Sequence, residues 1–176
     1  MKIRVLQESD AQMYQQVRLD GLRKDPSAFG STYDREEKFS LEMVAERIKP
    51  SMDKFVLGAF GDHGNLFGVV VFVRETGMKT RHKGNIYGMY VVPEKRGIGL
   101  GKELMGEVIR KAREMEGVEQ LNLTVISNNN PAKKLYMSLG FEIYGQERNA
   151  LKYENQYDDE DLMVLRFKVM VEETQV

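Results

Sequence analysis

Apolar and polar positions along this chain follow two rhythms, a period of two in short runs and a period near 3.6 in longer ones, and each change of rhythm marks an element. Ile3 to Leu6 reads as a short strand. Ser9, with Gln12 three residues on, forms a capping box that predicts a helix to about Arg23, where Asp25-Pro26 stops it. Ser40 caps a second helix with Leu41, Val44, Ala45 and Ile48 on one face before Pro50 closes it. Phe55 to Phe60 and Leu66 to Arg74 are strand-like and joined by Gly61-Asp62-His63-Gly64-Asn65, which makes a hairpin. Ile86 to Val92 is a further strand ended by Pro93, which cannot extend a ladder. From Gly99 to Glu116 a helix is predicted, with Leu100, Leu104, Val108 and Ala112 along one side and Gly117 after it.

Leu121 to Val125 is a strand, Pro131 to Leu139 a short helix ended by Gly140, and Phe141 to Tyr144 and Leu162 to Val169 are later strands. The acidic run Asp158-Asp159-Glu160-Asp161 reads as a loop between the last two. The order is βααβββαβαββ. With no repeat, low-complexity tract or linker, residues 1–176 read as a single α/β domain.

Composition narrows what such a domain does. Lys and Arg number 26 against 27 Asp and Glu, so the net charge of -1 supplies no field for nucleic acid or an anionic membrane. The basic stretch Lys79-Thr80-Arg81-His82-Lys83 lacks the interleaved aromatics of a single-strand binder. No apolar run approaches the ~20 residues of a membrane-spanning helix, and Met1 to Glu8 is too short and too charged for a signal peptide. There is no Cys, hence no disulfide, thiolate zinc ligand or nucleophilic thiol, and a reducing cytoplasm is the expected setting. With only two scattered histidines, no metal is expected.

The candidate chemistry begins at Pro93-Glu94-Lys95-Arg96-Gly97-Ile98-Gly99-Leu100-Gly101-Lys102, a glycine-dense turn between a strand and a helix. Such a turn exposes backbone N–H groups beside the positive end of a helix dipole, and without Cβ atoms a bulky anion such as a pyrophosphate can approach closely. The same glycines also serve an ordinary tight turn that holds no ligand. A nucleoside-triphosphate loop needs Ser or Thr after Gly101-Lys102, where Glu103 stands. A dinucleotide fold needs G-x-G-x-x-G and an acidic residue closing the next strand, and both are missing.

The segment resembles instead the acetyl-CoA loop of the GNAT superfamily of N-acetyltransferases, R/Q-x-x-G-x-G/A, matched by Arg96, Gly99 and Gly101. Asn129-Asn130-Pro131-Ala132-Lys133-Lys134-Leu135-Tyr136-Met137-Ser138-Leu139-Gly140-Phe141 resembles that superfamily's second signature, N-x-x-A-x-x-L-Y-x-x-x-G-F. The resemblance implies a mixed sheet in which the strands ending at Val92 and Val125 splay apart to hold acetyl-CoA, the acyl donor. It implies a coenzyme site of Val91, Arg96, Gly97, Ile98, Gly99, Leu100, Gly101, Lys102 and Asn129, with Lys133 and Lys134 as vaguer candidates for the nucleotide end. Asn129 is equally readable as a helix cap, and Arg96 and Lys102 as solvated bases.

By the same resemblance, the Met89 backbone N–H points at the thioester carbonyl as an oxyanion donor and Tyr136 is the general acid; otherwise Tyr136 fills the core as a helix aromatic. Where some members carry a basic Glu early in the strand before the glycine loop, this chain has about Asn85, which takes no proton at neutral pH. Three sources of a base stay open: a water relay, a carboxylate from Glu36-Glu37 or Asp158 to Asp161, or the pool of neutral amine. His63 and His82 lie in polar loops. Phe29, Tyr33 and Glu36, in the segment between the first two helices, are candidates for a wall around a cationic amine. The expected acceptor is a primary amine of a small molecule, with a protein N-terminus or lysine as the near alternative and a non-catalytic acetyl-CoA-binding module as the other class. Monomer and homodimer both stay open.

Overall fold

The computed structural model describes residues 1–167. Seven strands, β1 (Lys2–Val5), β2 (Lys54–Phe60), β3 (Leu66–Arg74), β4 (Lys83–Val91), β5 (Gln120–Ile126), β6 (Glu142–Tyr153) and β7 (Gln156–Arg166), form one sheet in spatial order β1-β2-β3-β4-β5-β7-β6. The helices are α1 (Ala11–Lys24), α2 (Tyr33–Glu36), α3 (Leu41–Ile48), α4 (Leu100–Glu114) and α5 (Asn130–Ser138).

The predicted stripe on α4 holds: Leu100, Leu104, Val108 and Ala112 are all buried against one face of the sheet, with Leu57, Phe72 and Leu121. Full burial of one such leucine contributes about 1.5–3 kcal/mol relative to exposure. The other face of β1 to β4 is covered by α1 and α3, through Tyr14, Leu22, Val44 and Ile48 packed on Val56, Val69 and Tyr90. Ser40 caps α3 as predicted, its hydroxyl accepting from the Met43 N–H, although Leu41 lies on the exposed side.

Every strand pair is antiparallel except β4 with β5, which run parallel through only three pairs: Lys83 with Gln120, Gly84 with Leu121, and Asn85 with Asn122. Beyond Asn85 and Asn122 the two strands part. A second irregularity lies just past that point in β4, where Gly88 and Met89 together stand opposite Val70 in a bulge, with Gly88 at a φ of 56°. A left-handed residue at a bulge favours glycine, and the bulge breaks the ladder locally and re-aims the backbone.

Three expectations need correction. The helix start is set by a capping box between Gln7 and Asp10 around a short 3-10 turn, and Ser9 with Gln12 plays no such part. Arg4 clamps Asp10 with two hydrogen bonds of 2.7 and 2.8 Å, which draws the acid into the box. α2 was not anticipated, since four residues carry too little periodicity to read. The acidic run Asp158 to Asp161 is strand and not loop: β6 and β7 continue past the predicted ends to a hairpin at Glu154 and Asn155, whose φ values of 45° and 64° suit a primed two-residue turn. The predicted end of the last strand, residues 168–169, lies outside the described residues.

Candidate active site

The parting of β4 and β5 opens a cleft of about 970 Å³ that passes between the sheet strands and continues onto the face carrying α1 and α3. Its two ends differ in construction.

At one end stands the glycine loop. Gly97 and Gly99 have φ of 76° and 88°, and a Cβ on either would project into open space with no atom within 4 Å. Such a surface accepts a bulky anion, and Gly99, the N-cap of α4, has no side chain that could bond the first-turn amides. Gly97, Gly99, Leu100, Gly101 and Lys102 line the cleft, whereas the Ile98 side chain is 60% exposed and lies outside it. A Cβ on Gly101 would approach Met89 Cε to 2.9 Å, so this glycine serves close packing of the helix start on β4. The loop therefore fits the phosphates of acetyl-CoA.

Arg96 lines the same end, but its Nε donates to the Val91 carbonyl at 2.9 Å and its Nη2 to Asp25 at 2.6 Å. It ties the loop to the end of α1. Lys133 is engaged elsewhere, with Asp161 and the Ser127 carbonyl, which corrects its assignment to the nucleotide end. Lys134 is exposed. Asn129 lines the cleft and caps α5, its Oδ1 accepting from the Ala132 N–H at 3.3 Å.

Midway, Met89 on the bulge and Tyr136 on α5 both line the cleft. The Tyr136 ring packs against Phe141 with centroids 6.1 Å apart and is 8% exposed, so it is a core aromatic as well as a cleft residue. Burial pushes its phenol up to about 12, which keeps it protonated at working pH.

The far end is built from side chains. Phe29 lies in its wall. Tyr33 and Glu36 do not line the cleft, which corrects both candidates. Tyr33 accepts a hydrogen bond from Arg23 and stacks under it, with the guanidinium 4.6 Å from the ring. Glu36 is 1% exposed and accepts from Arg18 Nε and Nη2, both at 2.9 Å, with Arg47 Nη1 at 3.1 Å. Burial alone would raise this carboxyl, but the Arg18 hydrogen bonds and the two positive charges prevail and hold it at about 2. Arg18, Arg47 and Lys54 line this wall in its place. Arg18 had a legible signal: it sits four residues after Tyr14 and four before Leu22, a cation in the buried stripe of α1.

On the opposite wall are Thr124 of β5 and Glu160 of β7. Burial raises the Glu160 carboxyl, and neighbouring Glu147 adds to the rise. Asn85 donates to Glu75 at 2.7 Å and does not line the cleft. His63 and His82 are outside the cleft. Among the described residues no group of three His, Cys, Asp or Glu is placed to hold a metal, and no helix is long and apolar enough to cross a membrane.

A two-ended cleft between parted strands, with a glycine loop at a helix start, is the arrangement of acyl-coenzyme A transferases, and comparison with known proteins agrees. Residues 19–141 match the model of the acetyltransferase (GNAT) family. The chain belongs to that family and is an acetyl-CoA-dependent acyltransferase. Acetyltransferase PseH of Campylobacter jejuni serotype O:2 is 30% identical over 125 residues, which is 71% of this chain and 74% of that one. A GNAT-family acetyltransferase of Streptococcus pneumoniae has the same fold, with a TM-score of 0.80 at 24% identity over 95% of this chain and 99% of that one. The putative acetyltransferase yncA of Salmonella typhimurium, solved with acetyl-CoA, has a TM-score of 0.79 at 21% identity over 96% and 95% of the two chains.

Proposed function

We propose that the protein transfers acetyl directly from acetyl-CoA to a primary amine of a small molecule, within a single reducing, cytoplasmic compartment. The observation that carries this is the continuity of the cleft: the coenzyme end and the side-chain end meet at Met89 and Tyr136, so donor and acceptor can be held against each other without a covalent enzyme intermediate. Bound acetyl-CoA supplies a thioester. Overall one C–N bond forms, one C–S bond breaks, the amine loses a proton and the sulfur gains one.

The chain's own groups divide that work. Gly97, Gly99, Gly101 and the first-turn amides of α4, with Lys102, hold the phosphates; the backbone at Val91 and the side chain of Asn129 meet the pantetheine arm. The Met89 N–H, freed from the ladder by the bulge, donates to the carbonyl oxygen as charge develops there. Tyr136 donates its phenolic proton toward the sulfur. A phenol near 12 holds its proton more tightly than a thiol near 8.5, so this step relies on the same dry pocket raising the thiolate. Glu160 takes the proton of the amine, because among the carboxylates considered from sequence it is the one that lines the cleft, and its raised pKa makes it a better base than a solvated carboxylate.

The walled acceptor end favours a small amine over a protein terminus or lysine. The test is release of free coenzyme A thiol by the purified protein across amino acids, amino sugars, polyamines and peptides. Thiol release with small amines, and a pH–rate profile whose acidic limb flattens in Glu160→Gln, are expected. Acetyl-CoA binding with no turnover of any amine would make the protein a binding module.

A further inference from the structure

The acceptor end carries more positive charge than the fold needs. Arg18, Arg47 and Lys54 reach it from α1, α3 and β2, and the single carboxylate among them, Glu36, is shared by both arginines. Arg18 spends Nε and Nη2 on Glu36, while Nη1 has no hydrogen-bond partner among the described residues and lies 3.4 Å from where a Cβ on Gly88 would stand. Arg47 lines the cleft and its side chain is 42% exposed. The Lys54 ammonium donates to the Glu46 carbonyl at 3.2 Å and has no carboxylate partner among the described residues. Ser31 lines the same wall, and its hydroxyl lies close enough to Glu36 to help hold that carboxyl down. Among the described residues two acids line the cleft: Asp25, which is paired with Arg96, and Glu160 on β7.

Three cations against one internal anion repel a polycation and attract a negative group. Arginine forks and a lysine suit carboxylate or phosphate oxygens. From this arrangement we infer that the acceptor is a zwitterionic or anionic amine, its amino group at Glu160 and its carboxylate or phosphate on Arg47, Lys54 and the free edge of Arg18. The inference rests on the acetyltransferase reading and specifies its substrate class. It reverses the cationic amine expected when Glu36 was placed in the wall, because that carboxylate is buried and already doubly paired.

Matched amines test it: glucosamine 6-phosphate against glucosamine, and glycine against glycinamide, by thiol release. The anionic member of at least one pair should have the higher kcat/KM by about tenfold or more, the scale of a charge-assisted hydrogen bond; which pair responds tells phosphate from carboxylate. The ratio should fall toward one in Arg47→Gln/Lys54→Met, a double variant that leaves the Arg18 fork on Glu36. Equal or better use of the neutral amines, or an unchanged ratio in the double variant, overturns the inference. A second measurement needs no turnover. With coenzyme A saturating, so that the glycine loop is filled, inorganic phosphate should raise the Tm of the wild type more than that of the double variant, and an equal rise in both overturns the inference. Failure to turn over any amine would defeat the acetyltransferase reading, and this second measurement would still decide the anion site. The rise in Tm caused by coenzyme A itself shows that the double variant is folded.

Discussion

The two ends of the cleft are built by different means. The coenzyme end is mostly main chain: positive-φ glycines, the amides at the start of α4 and a bulge in β4. The acceptor end is side chains drawn from α1, α3, β2 and β7, with their charges balanced against one another. Main-chain sites advertise themselves as runs of glycine, because only glycine leaves amides exposed at those angles. Side-chain sites leave no local trace and depend on which elements the topology brings together.

Experiments can break this contrast at either end. The largest effect is expected from Glu36→Gln, which leaves Arg18 buried beside a neutral amide and should cost about 3–5 kcal/mol of stability by chemical denaturation. The accompanying pH dependence has a definite sign. Because the folded carboxyl is held at about 2, below its unfolded value, its contribution is fully present above roughly pH 5 and is lost as pH falls toward 2. The variant should lack that limb, and an unchanged acid limb would assign it to other carboxylates.

Tyr136→Phe comes next, with kcat expected to fall on the order of 100-fold while the KM for acetyl-CoA and the fold persist. If the variant instead unfolds, the ring's contact with Phe141 is its main role. At 100 times its Kd, acetyl-CoA should add about 2.7 kcal/mol to the stability of the wild type. Gly99→Val should abolish that gain, at a modest cost to the apo protein because of the left-handed φ of 88°. A retained gain would move the phosphates away from this loop. The smallest effect is expected from Arg96→Ala: its half-exposed bond to Asp25 is worth under about 1 kcal/mol of stability, and acetyl-CoA affinity should weaken only several-fold. A loss comparable to that in Gly99→Val would make Arg96 a direct phosphate ligand.

This difference also sets what could be read before the structure. The stripe of α4, the Ser40 cap and the glycine loop are local patterns, and each took its predicted form. The extent of β6 and β7 was hidden because β6 is an edge strand with mostly exposed polar side chains, so no apolar alternation marks it. Glu36 looked like a surface acid beside Glu37, since only the tertiary approach of Arg18 and Arg47 reveals that it is buried. The cations of the acceptor wall are scattered from residue 18 to residue 54 and share no motif. Glu160 was one of several acids in a run until strand pairing turned it toward the cleft.

The tie between Lys133 and Asp161 has a consequence for anyone who would refit this scaffold. Lys133 lies one turn before Tyr136 on α5, and Asp161 follows Glu160 on β7; neighbours in a strand point to opposite faces, so Asp161 reaches the helix while Glu160 faces the cleft. Ser127 and Gln146 donate to the same Asp161 oxygen and complete the joint. It works as a gauge block between Tyr136 and Glu160, the acid and base of the mechanism proposed above. On that mechanism an engineer could exchange Arg47 or Lys54 to court a different amine, whereas recutting this joint would shift Tyr136 and Glu160 together, whatever molecule is supplied.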